Sequence, residues 1–304
     1  MTPLFPGEAS RLRSALPVIK RARGWRLYAS DGSRYLDLCA DGGRTVLGRR
    51  NGESGRVAKE AIDRGLVSGF PSFWKKRLEK QVLDWLPGYA GTLFFASEAE
   101  ALLALAMADE GFASALRGGK PLAEALSAFS ENLRVERPFG KYRRERSGET
   151  HASAADGRYA LALLPLAPAW SFGILLGRSG EDISTLAGRI WGAGDGGKNG
   201  GTDMAAPIPA VRLAAAARSL SDFVALDSNL DEKRWAAIDP FIDGLFVRSG
   251  PWLYPAYPEA GHGRVFSACL NEGILISPDY GEPSIVPPEF NAGEVLALKS
   301  IPRA

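Results

Sequence analysis

The run Gly91-Thr92-Leu93-Phe94-Phe95-Ala96 leads through Ser97 directly into the alanine- and leucine-rich stretch Glu98 to Ala108. A short apolar strand, a tight turn and a helix in immediate succession is the signature of an α/β chain. Ser97 is a good N-cap, and Glu100 sits at the third helical position, so Ser97-Glu98-Ala99-Glu100 reads as a capping box. That box fixes where the helix begins.

Other segments can be placed around this unit. Gly24-Trp25-Arg26-Leu27-Tyr28 and Arg34-Tyr35-Leu36-Asp37-Leu38 alternate apolar with polar residues on either side of Ser30-Asp31-Gly32-Ser33, which predicts a β-hairpin with Gly32 supplying the positive φ. Helical spacing predicts helices over Gly55 to Leu66, Phe73 to Leu86, Lys120 to Phe129, Val211 to Leu226 and Val265 to Glu272. Gly244 to Val247 and Ile274 to Ile276 read as strands, and so does the apolar stretch Tyr159 to Leu176. Its Pro165, Pro168 and Gly173 break any spanning helix, and Arg158 and Arg178 bracket it. Arg134 to Glu149 is polar and aperiodic, with Glu136, Glu145 and Glu149 diluting its basic charge, so it reads as a solvated surface loop despite Phe139 and Tyr142.

Composition sets limits on function. With 304 residues, 45% hydrophobic and 24% charged, the chain has material for a sizeable core and is neither disordered nor fibrous. A formal charge of +2 gives no global attraction for nucleic acid or an anionic membrane. Arg11, Arg13, Lys20, Arg21 and Arg23 interrupt the apolar residues near the N-terminus, so no signal peptide is expected and a cytoplasmic location is. Cys39 and Cys269 fit no disulfide framework or zinc spacing and read as core residues. His151 reads as solvated; His262, between Gly261 and Gly263, reads as a turn residue whose imidazole the glycines would expose.

Gly192 to Thr202 contains overlapping matches to G-x-G-x-x-G and G-x-x-x-x-G-K. Asn199 stands where a phosphate loop needs Ser or Thr, and no apolar strand precedes the match. With six glycines from 192 to 201, composition alone accounts for it, and the segment reads as a surface loop.

Several motifs together resemble the class III aminotransferases, especially glutamate-1-semialdehyde aminomutases. They are Phe5-Pro6-Gly7, Val18 to Gly24, Arg26-Leu27-Tyr28 through Asp31-Gly32 to Tyr35-Leu36-Asp37, and Gly43 through Leu47-Gly48. Val57 to Ile62 and Gly69-Phe70-Pro71 continue the order. The resemblance implies a three-layer α/β/α large domain of the pyridoxal-phosphate-dependent transferase type, over about 70–226 and shortened. A small α+β domain is built from 227–304 and joined by the N-terminal segment 1–69.

It also implies site residues. The family binds the cofactor phosphate at a helix N-terminus through Phe-x-x-Ser-Gly-Thr-Glu-Ala; here Phe94 to Ala101 keep Ser97, Glu100 and Ala101, while Gly-Thr has become Glu98-Ala99. A carboxylate there opposes a phosphate dianion, and Ala99 removes a hydroxyl. Gly201-Thr202 to Pro207 is similar to the Gly-Thr segment that reaches the phosphate across a homodimer, which makes Thr202 a candidate. Lys198, in Gly197-Lys198-Asn199-Gly200-Gly201, is the candidate Schiff-base lysine, although Thr202 follows only four residues later where the family has a much longer segment. Arg13, one position off the arginine that aminomutases use for the substrate carboxylate, is the candidate substrate residue. No Asp-Glu-Val strand supplies the pyridine-nitrogen acid.

Three functions follow as expectations. The first is a homodimeric aminotransferase-like pseudoenzyme that binds pyridoxal phosphate weakly or not at all. The second is a minimal pyridoxal-phosphate enzyme using Lys198, with Ser97 and Thr202 on the phosphate. The third is a small-molecule binding or regulatory module on the same scaffold. None involves a metal, a nucleic acid or a membrane.

Overall fold

The computed structural model describes residues 8–49, 52–131, 133–143, 158–191 and 207–302. In chain order its strands are β1 (Ile19–Arg23), β2 (Arg26–Ala29), β3 (Arg34–Asp37), β4 (Gly91–Phe95), β5 (Val135–Glu136) and β6 (Tyr159–Ala162). They continue with β7 (Gly173–Gly177), β8 (Phe246–Ser249), β9 (Trp252–Pro255), β10 (Ile274–Leu275) and β11 (Ser284–Ile285). Two compact units divide the chain. One comprises Met1–Asn51, Pro138–Arg144 and Asp222–Ala304; the other comprises Gly52–Arg137 and Glu145–Ser221.

The second unit is built on one sheet of order β4-β7-β6-β5. β7 runs antiparallel to both β4 and β6, whereas β5 and β6 are parallel. Every residue of β6 and β7 is buried, as the apolar run 159–176 predicts. Alternation along β4 sorts its side chains between two faces. Leu93 and Phe95 join Leu161, Leu163 and Leu175 in a core covered by the helices Glu98–Met107 and Gly180–Trp191. On the opposite face Thr92 donates to Glu79 of the helix Phe73–Trp85 (3.0 Å), and Phe94 stacks on Phe172. Helices on both faces make this unit the three-layer α/β/α arrangement the sequence predicts.

The first unit holds two small sheets, ordered β1-β2-β3-β10 and β11-β9-β8. Tyr28 pairs with Arg34 across the expected hairpin, and Gly32 takes φ +94°. Gly273 ends the helix His262–Asn271 at φ +75°, which turns the chain into β10 beside β3.

After β3 the backbone enters the left-handed region at four successive residues, Ala40, Asp41, Gly42 and Gly43. Two of them carry a Cβ, at a cost of roughly 1–2 kcal/mol each. The carboxylate of Asp37 anchors the turn by accepting from the amides of Cys39 (3.1 Å) and Ala40 (2.9 Å). Arg49 bridges Asp37 (2.7 Å) and Asp41 (2.8 Å). Gly43 lies against Trp252, so that a Cβ there would stand 2.8 Å from the ring. The indole is fully buried and donates to the Phe139 carbonyl at 3.0 Å, so it cannot retreat.

Cys39 and Cys269 are buried free thiols, and burial pushes each up to about 12, as inert core residues require. Two expectations are corrected. His262 is only 4% exposed, because the following residues continue as a helix instead of a turn. Its Nε2 faces the Ser277 carbonyl (3.0 Å) and therefore carries the proton, which leaves Nδ1 to accept from the Tyr257 hydroxyl (3.1 Å). The described part of the polar stretch 134–149 is packed, not solvated. Phe139 lies edge-on to Phe223 and Trp235, and Lys141 and Arg143 pair with Asp227 and Glu282.

Gly43→Ala combines left-handed strain with overpacking against Trp252, so it is expected to cost about 2–4 kcal/mol. Gly32→Ala, with open space around it, is expected to cost only about 1–2 kcal/mol. Urea unfolding of the two variants measures the difference. Arg49→Met, which leaves Asp37 buried without its cation, is expected to lose about 3–5 kcal/mol in the same assay.

Candidate functional site

The turn from β4 into the helix Glu98–Met107 is the place the sequence singles out, and the amides of Ala96 and Glu100 find acceptors within it. Ser97 is extended (φ −145°, ψ 161°) and its hydroxyl accepts from the Glu100 amide at 3.2 Å. The Glu100 carboxylate turns back to accept from the Ala96 amide at 3.1 Å, one residue upstream of the position a strict capping box uses. Glu98, at the first helical position, accepts a 2.5 Å hydrogen bond from the hydroxyl of Ser171. An anion at a helix N-terminus is favourable by about 0.3–1 kcal/mol. Glu98 is such an anion, covalently built in.

The carbonyl side of the turn is closed by Arg212. Its guanidinium donates to the carbonyls of Ala96 (3.3 Å), Trp170 (3.2 Å) and Ser171, and lies 5.6 Å from the centre of the Phe172 ring. Arg212 belongs to the first turn of the helix Ala210–Asn229, where its own helix dipole disfavours a cation. Burial moves it below its ordinary value. Three converging carbonyls hold it there nonetheless.

Close backbone approach makes this geometry possible. A Cβ on Gly173 would stand 2.5 Å from both the Ser97 carbonyl and the Ala101 side chain, so β7 reaches the turn only because residue 173 is glycine. The Gly69 that the sequence marks serves the entry to the Arg212 helix. A Cβ there would lie 2.4 Å from Pro207, and the Val211 amide donates to the Leu66 carbonyl at 3.2 Å.

Ser97, Glu98 and Ala99 therefore lie together at one helix N-terminus, with Ala99 exposed. Arg13 is exposed on the last turn of the short helix Glu8–Ser14. Lys198, Thr202 and His151 lie outside the described residues. Between 108 and 201 the described lysines are Lys120, paired with Glu124 (3.2 Å), and Lys141, paired with Asp227 (2.8 Å). Sequence reasoning missed Ser171, 73 positions from Glu98, and Arg212, between 41 and 116 positions from the carbonyls it binds; neither belongs to a motif. It also missed Glu136, the acidic residue on the described strands of this sheet. Glu136 accepts from the Tyr89 hydroxyl (2.6 Å) and from Arg134 (2.8 Å). Among the described residues no cluster of His, Cys, Asp or Glu could hold a metal.

Pyridoxal phosphate is the cofactor the resemblance implies, and the described part of this turn does not fit its phosphate. The Ser97 hydroxyl oxygen already accepts from the Glu100 amide, residue 99 has no side-chain donor, and Glu98 presents like charge. Arg212, the nearby cation, is spent on carbonyls.

Arg212→Ala leaves three carbonyls without their donor and is expected to destabilise the protein by about 1–3 kcal/mol. Arg212→Lys, a point charge that cannot fork among them, is expected to recover less than half of that loss in the same thermal denaturation experiment.

No family model matches the chain. It is 27% identical over 287 residues to an uncharacterized protein of Borreliella burgdorferi, covering 94% of this chain and 90% of that one. It is 32% identical over 113 residues to glutamate-1-semialdehyde 2,1-aminomutase of Methanothrix thermoacetophila, covering 36% of this chain but 26% of the enzyme. Among solved structures, an omega-transaminase from Sphaerobacter thermophilus aligns at TM-score 0.60 and 15% identity over 97% of this chain and 95% of its own. A transaminase with PLP bound aligns at TM-score 0.60 and 11% identity, again over 97% and 95%. With three-layer architecture, motif order and structural alignment in agreement, the chain has the fold of the transaminases it aligns with and is similar to glutamate-1-semialdehyde aminomutase over about a third of its length.

Proposed function

We propose that this protein is a catalytically degenerate member of the aminotransferase-like group, a scaffold kept without working transaminase chemistry. One observation carries the reading. The helix N-terminus where the aminotransferases it resembles hold the cofactor phosphate is occupied by the chain's own Glu98, tied to Ser171, while Arg212 closes the adjoining carbonyls. Binding a phosphate dianion there means displacing or protonating Glu98 in a partly buried turn, and like-charge repulsion opposes it. The acidic group of the sheet, Glu136, is likewise held by two internal donors.

When bound, pyridoxal phosphate supplies an electron sink for amino-group transfer. Lys75, whose Nζ lies 5.9 Å from the centre of the Phe94 ring, is a described lysine near this turn, and of the two hydroxyls there Ser171 already donates to Glu98. The alternative, a minimal enzyme using Lys198 with Ser97 and Thr202, requires covalent attachment of the cofactor at Lys198.

Borohydride reduction of the protein mixed with pyridoxal phosphate, followed by peptide mapping, separates the two. The expected result is no site-specific label, with an absorbance spectrum that Lys198→Ala leaves unchanged. A stoichiometric label on Lys198, lost in Lys198→Ala, overturns the proposal and establishes the minimal enzyme. Replacing Glu98 by Gly and Ala99 by Thr together is expected to raise affinity for pyridoxal phosphate at least about tenfold over the parent, about 1.4 kcal/mol.

A further inference from the structure

Between Glu8 and Asp31 the chain carries Arg11, Arg13, Lys20, Arg21, Arg23 and Arg26 and no acidic residue. In a chain of formal charge +2 this concentrates positive charge on the helix Glu8–Ser14 and on β1 and β2, and leaves the remainder net acidic. The fold then puts three of these cations on an open edge. β1 ends the order β1-β2-β3-β10, so one side of its backbone has no strand partner in the sheet. Lys20, Arg21 and Arg23 are exposed along it.

Elsewhere several half-buried arginines are matched by carboxylates: Arg26 by Glu294 at 2.5 Å, Arg49 by Asp37 and Asp41, Arg248 by Asp239. Lys20, Arg21 and Arg23 have no ion pair among the described residues. Arg21 instead lies over the Tyr28 ring at 4.4 Å, which fixes its guanidinium beside the edge.

Charge alone is a common way to protect an edge strand from self-pairing. Protection does not explain the apolar residues that share this edge. Val18 is 75% and Ile19 37% exposed, immediately before the three cations. An open backbone ladder, adjacent apolar side chains and uncompensated positive charge together match one kind of occupant. We propose that β1 is a docking edge for an extended acidic peptide of a partner protein, one that alternates carboxylates with aliphatic residues and adds as a strand beside β1. Main-chain hydrogen bonds supply affinity in this mode, and the side chains supply selection. Here Asp or Glu side chains meet Lys20, Arg21 and Arg23, and aliphatic ones cover Val18 and Ile19.

Fluorescence anisotropy with a short labelled peptide of alternating Glu and Val tests the proposal on the full-length protein. Saturable binding is expected, weakened at least about tenfold by reversing Lys20, Arg21 and Arg23 to Glu. It should also weaken strongly at about 1 M salt, where the Debye length falls to about 3 Å. If the triple reversal lowers the thermal midpoint, the triple Gln variant replaces it, with the same direction of change expected. A peptide N-methylated at alternate residues, which cannot complete the ladder, should bind at least about tenfold more weakly. Equal binding by that peptide overturns strand addition. So does a preference for phosphatidylserine vesicles or a single-stranded RNA over the peptide. Sedimentation showing that the edge pairs two copies of this chain, in a manner abolished by the charge reversal, overturns it as well.

Discussion

A strand that runs straight into a helix leaves amides and carbonyls in the turn between them that the strand and helix ladders do not pair. In this protein those partners are its own side chains. Ser97 and Glu100 take amides, Glu98 supplies the anion the helix N-terminus favours, and Arg212 gathers three carbonyls from two separate segments. The packing follows from that closure. Gly173 brings β7 against the turn, Phe172 stacks between Phe94 and the guanidinium, and the Arg212 helix docks on the segment at Leu66 and Gly69.

The same turn in a cofactor-binding protein has to remain incomplete, since its free donors are what hold a phosphate. The substitution of Glu98-Ala99 for Gly-Thr is therefore more than the loss of two contacts. It puts the chain's own carboxylate at the helix N-terminus, where Ser171 donates to it, and Arg212 donates to the neighbouring Ala96 carbonyl.

Local chemistry made much of the fold legible in the sequence. Gly32 marks the first hairpin because the turn needs positive φ, and Ser97 marks its helix because a cap needs a hydroxyl acceptor. The burial of β6 and β7 follows from composition alone. Long-range partners were not legible. Nothing near Arg212 in sequence announces three carbonyls, and nothing near Ser171 announces Glu98. Periodicity is equally silent for the two-residue strand β5, which carries Glu136 within a polar stretch, and for β9, whose Trp252 lines the left-handed turn at Gly43. The glycines beside His262 suggested exposure, but Tyr257 and the Ser277 carbonyl satisfy both ring nitrogens and allow the imidazole to be buried.

The claim that the turn is closed from within is tested most directly by the phosphorus NMR signal of pyridoxal phosphate as protein is added. The account predicts that the resonance keeps its free position and width at protein concentrations equal to that of the cofactor. A shifted, broadened resonance that returns to the free position when Ser97 is replaced by Ala would contradict it, because it would show the helix N-terminus holding the phosphate with Glu98 in place.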